Sequence, residues 1–340
     1  MSGEKSPIIT LTPSPTLDRT YFVKGLIEGG VNRAYDVNEE LAGKGINVSR
    51  ALELAGLSAP GVVPIGNADP AVLERTGSTS FLSPIWVDGT LRVSTTIIED
   101  NGPTTKVNEN PRPLKRDDWD DIVNLTLKLL EENEADWLVV AGAHPRVVET
   151  DELIDLIPLL EKAEAMGVKV VLDTSGDPLR HWARTGVATI MKPNGEELAS
   201  CVGRTLNTLQ DVVDAARELN TWGVDCVLAS LGVDGMLAVT KTHAVHGFTP
   251  PVRVINTVGA GDSTVAGFLS AVTLNKTDDP ELFSVGFDIA KGVREAVRWG
   301  GAKVQQPTSG LKSIANLPIG VVFEQPDLSA SLREPAEFQG

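Results

Sequence analysis

The sequence predicts an α/β fold of three layers, in which helices cover both faces of a mostly parallel sheet, together with a small second β-sheet separate from the main one. Short apolar runs alternate with amphipathic stretches, which is typical of parallel strands joined by helices. Two other segments alternate apolar and polar residues around turn residues, which favours antiparallel strands with one exposed face. The length of 340 residues suits one large domain.

The main sheet is predicted from apolar runs that are short and bounded by polar or turn residues. Such runs fit strands buried on both faces. Between them lie two stretches with helical spacing, each of which closes on glycine, a common residue just past a helix end. The predicted strands cover 8–12, 136–142, 168–174 and 225–232, and the predicted helices cover 151–167 and 208–223.

The small second sheet is predicted from the alternating segments 19–26 and 91–110. We place it within residues 19–38 and 84–112, inserted in a single domain that spans 1–340. The last residues, 325–340, are polar and contain proline, so we predict a loose tail there.

Composition narrows the possible partners. A formal charge of −16 disfavours nucleic acid or an anionic membrane, since both repel an acidic surface. Two cysteines give neither a disulfide framework nor a metal spacing, which suits a reducing compartment. The sequence shows neither a leader pattern nor an apolar run of membrane-spanning length, so we expect a cytoplasmic protein.

The stretch NTVGAGDSTVAGF, residues 256–268, carries the clearest chemical signal. The preceding residues 252–255 have strand character, and a helical pattern follows, so Gly259 and Gly261 are predicted in a strand-to-helix turn. Free amides at a helix N-terminus attract anions. Asp262 is then either a helix cap or a base that takes a proton from a hydroxyl attacking a phosphoryl group. The spacing fits neither a Walker A loop nor a dinucleotide fingerprint.

A second glycine-rich stretch is LAGKGINVSRALELAG, residues 41–56. Gly43 and Gly45 flank Lys44, and a helical pattern follows from Ile46. Flexible backbone, a cation and the amide of Asn47 together suit a polyhydroxylated, anionic ligand. The alternative is a surface loop in which the lysine is incidental.

These stretches resemble the ribokinase-like (PfkB-type) carbohydrate kinases, and most closely their 1-phosphofructokinase and tagatose-6-phosphate kinase branch. The resemblance covers residues 8–310 and implies a ribokinase-like α/β/α fold. The motif that includes GAGD is the most specific of those that carry it. In chain order they read TPSPTLDRTY, AGKGINVSRAL, RVSTTI, KPNGEEL, LASLGVDG and NTVGAGDSTVAGF.

For the reacting groups, the resemblance implies that Asp262 is the catalytic base. The amides of Gly259, Ala260 and Gly261 resemble the family's anion hole, which stabilises charge on the transferred phosphoryl oxygens.

For the sugar side, the resemblance implies a binding set made of a strand-end acid, a glycine loop and an arginine. Asp18 would receive sugar hydroxyls, and Arg92 would meet the phosphate already on the sugar, which a guanidinium fork suits. The alternatives are a turn residue for Asp18 and a solvated strand arginine for Arg92. The full set is Asp18, Gly43, Lys44, Asn47 and Arg92.

For the nucleotide side, the resemblance implies ATP and Mg²⁺. Asn194 and Glu197 match the family's Asn-x-x-Glu element, associated with magnesium and phosphate, directly or through water. A capped helix start is the alternative for this stretch. Open α/β sheets bind their ligands at the carboxyl ends of the strands, and the nucleotide would bind at such an edge. The predicted nucleotide-binding residues are Lys192, Asn194, Ser230 and Gly232.

The reaction expected from the resemblance is transfer of phosphate from ATP to a sugar phosphate, with fructose 1-phosphate giving fructose 1,6-bisphosphate as the first choice. Tagatose 6-phosphate and fructose 6-phosphate are alternative substrates. A non-phosphorylated acceptor and a non-catalytic sugar-phosphate sensor are further alternatives. The resemblance implies that the small second sheet is a lid that excludes water from the sugar. It also implies a homodimer paired through this lid.

Three departures from the family pattern concern the substrate more than the reaction. Ala42 stands where the family usually has glycine. The stretch 141–148, AGAHPRVV, replaces small residues near the expected sugar site, and we expect its Arg146 to face solvent. Residues 67–81 are shorter and less regular than the helix expected there.

Overall fold

The computed structural model describes residues 5–78, 80–100, 102–274, 287–308 and 310–338. Its strands are β1 (Ile8–Leu11), β2 (Thr16–Val23), β3 (Asp36–Ala42), β4 (Gly61–Gly66), β5 (Leu82–Val87), β6 (Arg92–Glu99), β7 (Thr104–Asn108), β8 (Trp137–Ala141), β9 (Lys169–Asp173), β10 (Ile190–Met191), β11 (Leu206–Thr208), β12 (Cys226–Ser230), β13 (Met236–Thr240), β14 (Ala244–Phe248), β15 (Val321–Phe323) and β16 (Ser331–Ala336). Its helices are α1 (Lys44–Glu53), α2 (Val72–Arg75), α3 (Arg116–Asn133), α4 (Ile157–Ala165), α5 (Gly176–Thr185), α6 (Gly195–Val202), α7 (Leu209–Trp222), α8 (Ala260–Leu274) and α9 (Ile289–Val304).

A large sheet runs through the centre of the molecule, as the sequence predicts. Among the described residues it has ten strands, in the order β15-β14-β13-β12-β10-β9-β8-β1-β4-β5. The strands from β12 to β5 in this order pair parallel, and β13, β14 and β15 add an antiparallel edge. The carboxyl ends of all the parallel strands therefore lie along one edge of the sheet.

Helices cover both faces of this sheet, which completes the predicted three layers. One face packs against α3 to α7 in a cluster that includes Trp119, Leu159, Trp182 and Val212. The other face packs against α1, α8 and α9 in a cluster that includes Phe268. Burial of both faces explains why the central strands read as continuous apolar runs without alternation.

The lid is a separate four-stranded sheet of the order β3-β2-β6-β7 within the described residues. The pairs β2–β3 and β6–β7 are antiparallel as predicted, but β2 and β6 pair parallel. The pairing brings Asp18 of β2 opposite Glu40 of β3 and Ser94 of β6. A small apolar cluster that includes Leu17 and Ile46 lies where this sheet meets α1.

Two further predictions from the sequence are wrong. Residues 252–255 are not a strand but an irregular connection to α8. The apolar side chains of Val254 and Ile255 are exposed there and have no buried sheet face to fill. The tail 325–340 is not loose along its described length: β16 pairs antiparallel with β11 and buries Leu332 and Ala336. Among the described helices, none has the length and hydropathy needed to cross a membrane.

Candidate active site

Most of the predicted site residues lie at the carboxyl edge of the main sheet. Helices α1 and α8 begin at this edge and pack against each other. Strands β9, β10 and β12 end there with Asp173, Lys192 and Ser230 at or just after their last residues. This is the edge at which open α/β sheets bind their ligands.

The start of α1 depends on glycine at position 43. Gly43 has φ 152° and ψ 151°, a conformation that side chains rarely adopt. A Cβ there would lie 2.6 Å from the Cγ2 of Thr12, which is too close for any other residue. The turn holds the first residues of α1 against the end of β1, where the Ile46 amide donates to Thr12 Oγ1 at 3.1 Å.

Asp262 lies in the first turn of α8 and is 6% exposed. Its Oδ2 accepts a hydrogen bond of 2.8 Å from the Nδ2 of Asn47 on α1. The other carboxylate oxygen, Oδ1, takes no part in this bond. Asn47 and Asp262 are 215 positions apart in the sequence. The hydrogen bond between them fixes the acid against the neighbouring helix α1.

The protonation of Asp262 is set by opposing charges. Burial raises the pKa of Asp262, and the carboxylate of Asp173 raises it further, while Lys44, Asn47 and Lys192 lower it; the result is about 6. An acid with a pKa near 6 is mostly ionised at neutral pH, yet it is basic enough to accept a proton. A carboxylate that only capped a helix would be expected to have a lowered pKa.

The amides predicted to form the anion hole are not equivalent. The Ala260 amide donates to the Thr257 carbonyl at 3.1 Å, whereas the amides of Gly259 and Gly261 have no backbone acceptor among the described residues. Gly259 has φ 77°, a left-handed conformation. The geometry therefore fits an anion hole made by Gly259 and Gly261 better than one that includes Ala260, which departs from the sequence expectation.

Asp173 is the centre of the site's charge network, and the sequence analysis missed it. It is fully buried at the end of β9, and it pairs with Lys44 (Nζ to Oδ1, 2.7 Å) and Lys192 (Nζ to Oδ2, 3.4 Å). Burial raises the pKa of Asp173, but the two ammonium groups outweigh burial and hold this pKa below its usual range. The sequence feature that could have indicated Asp173 is its place as the acid that ends the apolar run VKVVLD, at the carboxyl edge of the sheet.

Both lysines face the space in front of α8. Burial lowers the pKa of Lys44, but the charges of Asp173 and Asp262 raise it more, so its pKa lies above the ordinary value. Lys192 is buried, and a Cβ built on Gly261 would lie 3.2 Å from its Nζ. Two ammonium groups and a helix N-terminus therefore surround one position, which suits a phosphoryl group.

Asn194 and Glu197 form the capped start of α6. The Asn194 amide donates to Glu197 Oε2 and the Glu197 amide donates to Asn194 Oδ1, both at 2.8 Å. This reciprocal capping box was the alternative interpretation of the stretch. It does not exclude a metal role, because each carboxylate oxygen has a second lone pair, and Mg²⁺ keeps most of its ligands as water.

Ser230 and Gly232 lie beside this start of α6. Ser230 forms a parallel bridge with Asn194, and its amide donates to the Pro193 carbonyl at 3.0 Å. Gly232 begins a short 3-10 turn with φ 56°. The four residues predicted for the nucleotide therefore follow adjacent strands of the sheet. Within the described ranges, no cluster of three His, Cys, Asp or Glu side chains could hold a metal by itself.

Asp18 and Arg92 lie on the adjacent strands β2 and β6 of the lid. Burial raises the pKa of Asp18, as does the carboxylate of Glu40, while Arg92 and Lys106 lower it; the result is about 6. Its Oδ1 is buried and has no hydrogen-bond partner among the described residues. A buried oxygen without a donor suits a ligand hydroxyl.

Arg92 lines an open pocket, referred to below as a cavity, between the lid and the main sheet. Its Nη1 and Nη2 donate at 3.1 Å to the carbonyls of Glu109 and Ser14, while its Nε is buried and without a partner among the described residues. Arg112 lines the same cavity and was missed because no motif contains it. Two guanidinium groups beside one cavity suit a phosphate dianion.

The divergent stretch 141–148 differs from the expected sugar loop. His144 points into the protein interior, where its Nδ1 accepts from the Nε1 of Trp182 at 2.9 Å. Burial lowers the pKa of His144, and the charge of Lys44 lowers it further, to about 4, so the ring is neutral at physiological pH. Arg146 lies exposed, next to Asp151.

The sequence is similar to those of several known proteins. The sequence model described as pfkB family carbohydrate kinase matches residues 14–313. The 1-phosphofructokinase of Haloferax volcanii is 35% identical over 269 residues, which cover 78% of this chain and 83% of that protein. The 1-phosphofructokinase of Rhodobacter capsulatus is 30% identical over 292 residues, which cover 85% and 87% of the two chains.

Solved structures share the fold. Phosphofructokinase-2 from Escherichia coli in complex with potassium superposes with a TM-score of 0.76 at 27% identity, covering 91% of this chain and 96% of that one. The same enzyme in complex with fructose-6-phosphate gives 0.72 at 26% identity, covering 88% and 94%. A possible 1-phosphofructokinase from Thermotoga maritima gives 0.71 at 21% identity, covering 90% and 94%, which supports the fold alone.

Proposed function

The chain belongs to the pfkB family of carbohydrate kinases, and we propose that within this family it transfers the terminal phosphoryl group of ATP to fructose 1-phosphate, giving fructose 1,6-bisphosphate. The observation that carries the proposal is Asp262: a nearly buried carboxylate with a pKa near 6, in the first turn of a helix. Such a group accepts a proton from an alcohol at the point where helix amides stabilise a phosphoryl group.

The proposed reaction needs one proton transfer and much charge stabilisation. The sugar hydroxyl gives its proton to Asp262 as its oxygen attacks the phosphorus, and the bond from phosphorus to the bridging oxygen of ADP breaks. The amides of Gly259 and Gly261, with the ammonium groups of Lys44 and Lys192, stabilise the negative oxygens of the transferred group. Asp173 orients both lysines through its two ion pairs.

We assign Mg²⁺ to the region of Asn194 and Glu197. A carboxylate and an amide oxygen at a site shared with water and phosphate suit this hard cation. When bound, the cation neutralises charge on the phosphate oxygens of ATP. The chain's own contribution there is the capping box of α6, which fixes the Glu197 carboxylate.

A phosphorylated sugar is favoured by the cavity at Arg92. Its two arginines provide charge for a phosphate that does not react, while Asp18 accepts sugar hydroxyls. The names of the two curated relatives favour fructose 1-phosphate. Fructose 6-phosphate is the second candidate, since phosphofructokinase-2 from E. coli has been crystallised with it; tagatose 6-phosphate is the third.

The test is a substrate screen with ATP and Mg²⁺ and coupled detection of ADP. We expect kcat/KM to be highest for fructose 1-phosphate and at least tenfold lower for fructose 6-phosphate, tagatose 6-phosphate and unphosphorylated fructose. No ADP release with any of the sugars would favour a non-catalytic sugar-phosphate sensor. Faster turnover of unphosphorylated fructose would remove the phosphate role of the Arg92 cavity.

We further propose a cytoplasmic homodimer paired through the lid. Exposed apolar side chains are a feature of interaction surfaces, and the lid sheet and its connections expose several of them: Ile27, Val31, Tyr35, Val37 and Val107. One crystal form of phosphofructokinase-2 from E. coli is described as tetrameric. Light scattering should give twice the chain mass of 36.1 kDa, and Val37→Asp should reduce it to the monomer mass.

A further inference from the structure

Lys303 is a lysine that the proposed reaction does not use, yet its side chain is 0% exposed. It lies near the end of α9 and is among the largest fully buried side chains of the described residues. Burying an ammonium group is unfavourable unless its charge is compensated. A position that needed only packing would be filled by an apolar residue, so the charge itself requires an explanation.

The ammonium group of Lys303 contacts the segment that leads to Asp262. Its Nζ donates to the main-chain carbonyl of Asn256 at 3.2 Å. Asn256 is the first residue of the NTVGAGD stretch, six positions before the proposed base. The side chain of Asn256 also binds this segment: its Oδ1 accepts a hydrogen bond from the Val258 amide at 3.0 Å.

Several further hydrogen bonds join the same two segments. The amides of Ile255 and Asn256 donate to the Val304 carbonyl at 2.7 and 3.1 Å. The Nδ2 of Asn256 donates to the Pro307 carbonyl at 2.9 Å. The end of α9 therefore holds the irregular connection that sequence patterns predicted as a strand. Regular β-pairing does not fix this connection, so these contacts decide where the turn lies.

The position of Lys303 is itself fixed by close packing of α8 against α9. A Cβ on Gly300, one turn before Lys303, would lie 2.6 Å from the Thr264 Cγ2. A Cβ on Gly267 would lie 2.6 Å from the Glu295 carbonyl. Only glycine permits these approaches, which bring the start of α8 and the end of α9 together.

The charge of Lys303 also acts on the start of α8. Burial lowers the pKa of Lys303 to about 8, and the carboxylate of Asp262 opposes that change. The side chain is therefore mostly protonated at pH 7. A fixed positive charge near the start of α8 adds to the helix dipole, which also favours negative charge there.

We propose that Lys303 is a positioning residue: its ammonium group is a built-in cation that fixes the turn from Asn256 to Gly261, and with it the anion hole and Asp262. This role rests on the proposed function, since it acts through the proposed base. The group touches neither substrate nor ATP in this assignment.

The first test is Lys303→Met, which keeps the length of the side chain and removes its charge. We expect kcat to fall on the order of 100-fold, as small displacements of reacting groups do. The KM for fructose 1-phosphate should stay within about twofold, and the melting temperature should be unchanged or higher, because apolar replacement of a buried charge is often neutral or stabilising. Lys291→Met, on the exposed side of the same helix, is the control and should match the wild type.

The second test is Lys303→Ala with added cations at constant ionic strength. Ammonium or methylammonium should enter the space left by the side chain and restore activity at least tenfold, and should raise the melting temperature of this variant. Tetramethylammonium, which is too large and donates no hydrogen bond, should do neither. The wild type should show no activation by any of these ions.

These outcomes separate the inference from the proposed function. A Lys303→Met variant with the turnover of the wild type would overturn the inference, as would a loss of turnover that merely follows a lower melting temperature and that ammonium does not restore. A wild-type protein inactive on every sugar phosphate would end the proposed function instead. The melting temperatures of Lys303→Ala in ammonium and tetramethylammonium would still decide whether a cation binds there.

Discussion

Asp262→Asn is the substitution that bears most directly on the proposed chemistry. Asparagine has the shape of aspartate and can still accept the hydrogen bond that Asn47 donates at 2.8 Å, but it cannot take up a proton from an alcohol at neutral pH. General-base catalysis contributes about 10²- to 10⁴-fold, so we expect kcat to fall by that factor. Binding of the sugar phosphate should change little, since the fold of the site is kept.

The same substitution should stabilise the protein, and the size of the effect follows from the pKa. Burial and Asp173 raise the pKa of Asp262 from 3.8 to about 6. Each pKa unit corresponds to about 1.36 kcal/mol, so the ionised side chain disfavours folding by up to about 3 kcal/mol at pH 7. For a chain of this length that is a rise of about 4 °C in melting temperature on removing the charge.

The raised pKa of Asp262 also fixes how the stability of the protein changes with pH. Because the folded protein holds the proton more tightly than the unfolded chain, the contribution of Asp262 to stability is full below pH 3.8 and is lost as pH rises through about 6. The advantage of Asp262→Asn should therefore grow between pH 4 and pH 6.

Both effects are measurable on the same preparations. Coupled ADP release gives kcat, calorimetric titration gives the affinity for fructose 1-phosphate, and thermal unfolding between pH 4 and pH 8 gives stability. Leu274→Ala, at an exposed position on the same helix, is the control for handling and should keep the turnover of the wild type. Turnover of Asp262→Asn within threefold of the wild type would remove Asp262 as the base, and a fall in melting temperature would contradict the cause assigned to its raised pKa.

Further predictions concern the sugar phosphate, the charge network and pH. Arg92→Ala should raise the KM for fructose 1-phosphate about 10- to 100-fold, the worth of charge-assisted hydrogen bonds, with the KM for ATP unchanged; an unchanged sugar KM would show that the cavity does not hold the phosphate. Asp173→Asn should lower the free energy of unfolding by about 3–5 kcal/mol in denaturant titrations, because it leaves buried Lys192 without its partner; a loss below 1 kcal/mol would contradict this. The rate kcat/KM should fall tenfold per pH unit below about pH 6, where Asp262 becomes protonated; a rate independent of pH from 5 to 7 would contradict a base with this pKa.

Much of the fold follows from local sequence patterns. Within the run 136–142, residues 137–141 are all apolar because β8 is buried on both faces. The helical stretch 208–223 carries its own capping box at Thr208 and Asp211. The GAGD turn lies at the start of α8, where its glycines and acid suggested a helix N-terminus. These signals depend on residues close together in the chain.

What the sequence patterns missed depends on contacts between distant segments. Asp173 belongs to an apolar run and becomes a charge centre only because β10 and α1 bring Lys192 and Lys44 to it. In the sequence Lys303 is an ordinary lysine near a helix end, and it becomes buried only because α9 packs on α8. The tail forms β16 because it pairs with β11, which lies more than 100 residues earlier in the sequence.

The most direct test of the account is ³¹P NMR of a reaction containing the wild-type protein, ATP, Mg²⁺ and fructose 1-phosphate. Transfer to a sugar hydroxyl predicts that each ADP formed is matched by one new phosphomonoester on the sugar, with free phosphate absent. Release of inorganic phosphate with the sugar phosphate unchanged would mean that water, and not the alcohol, is the acceptor, and would contradict the role given to Asp262.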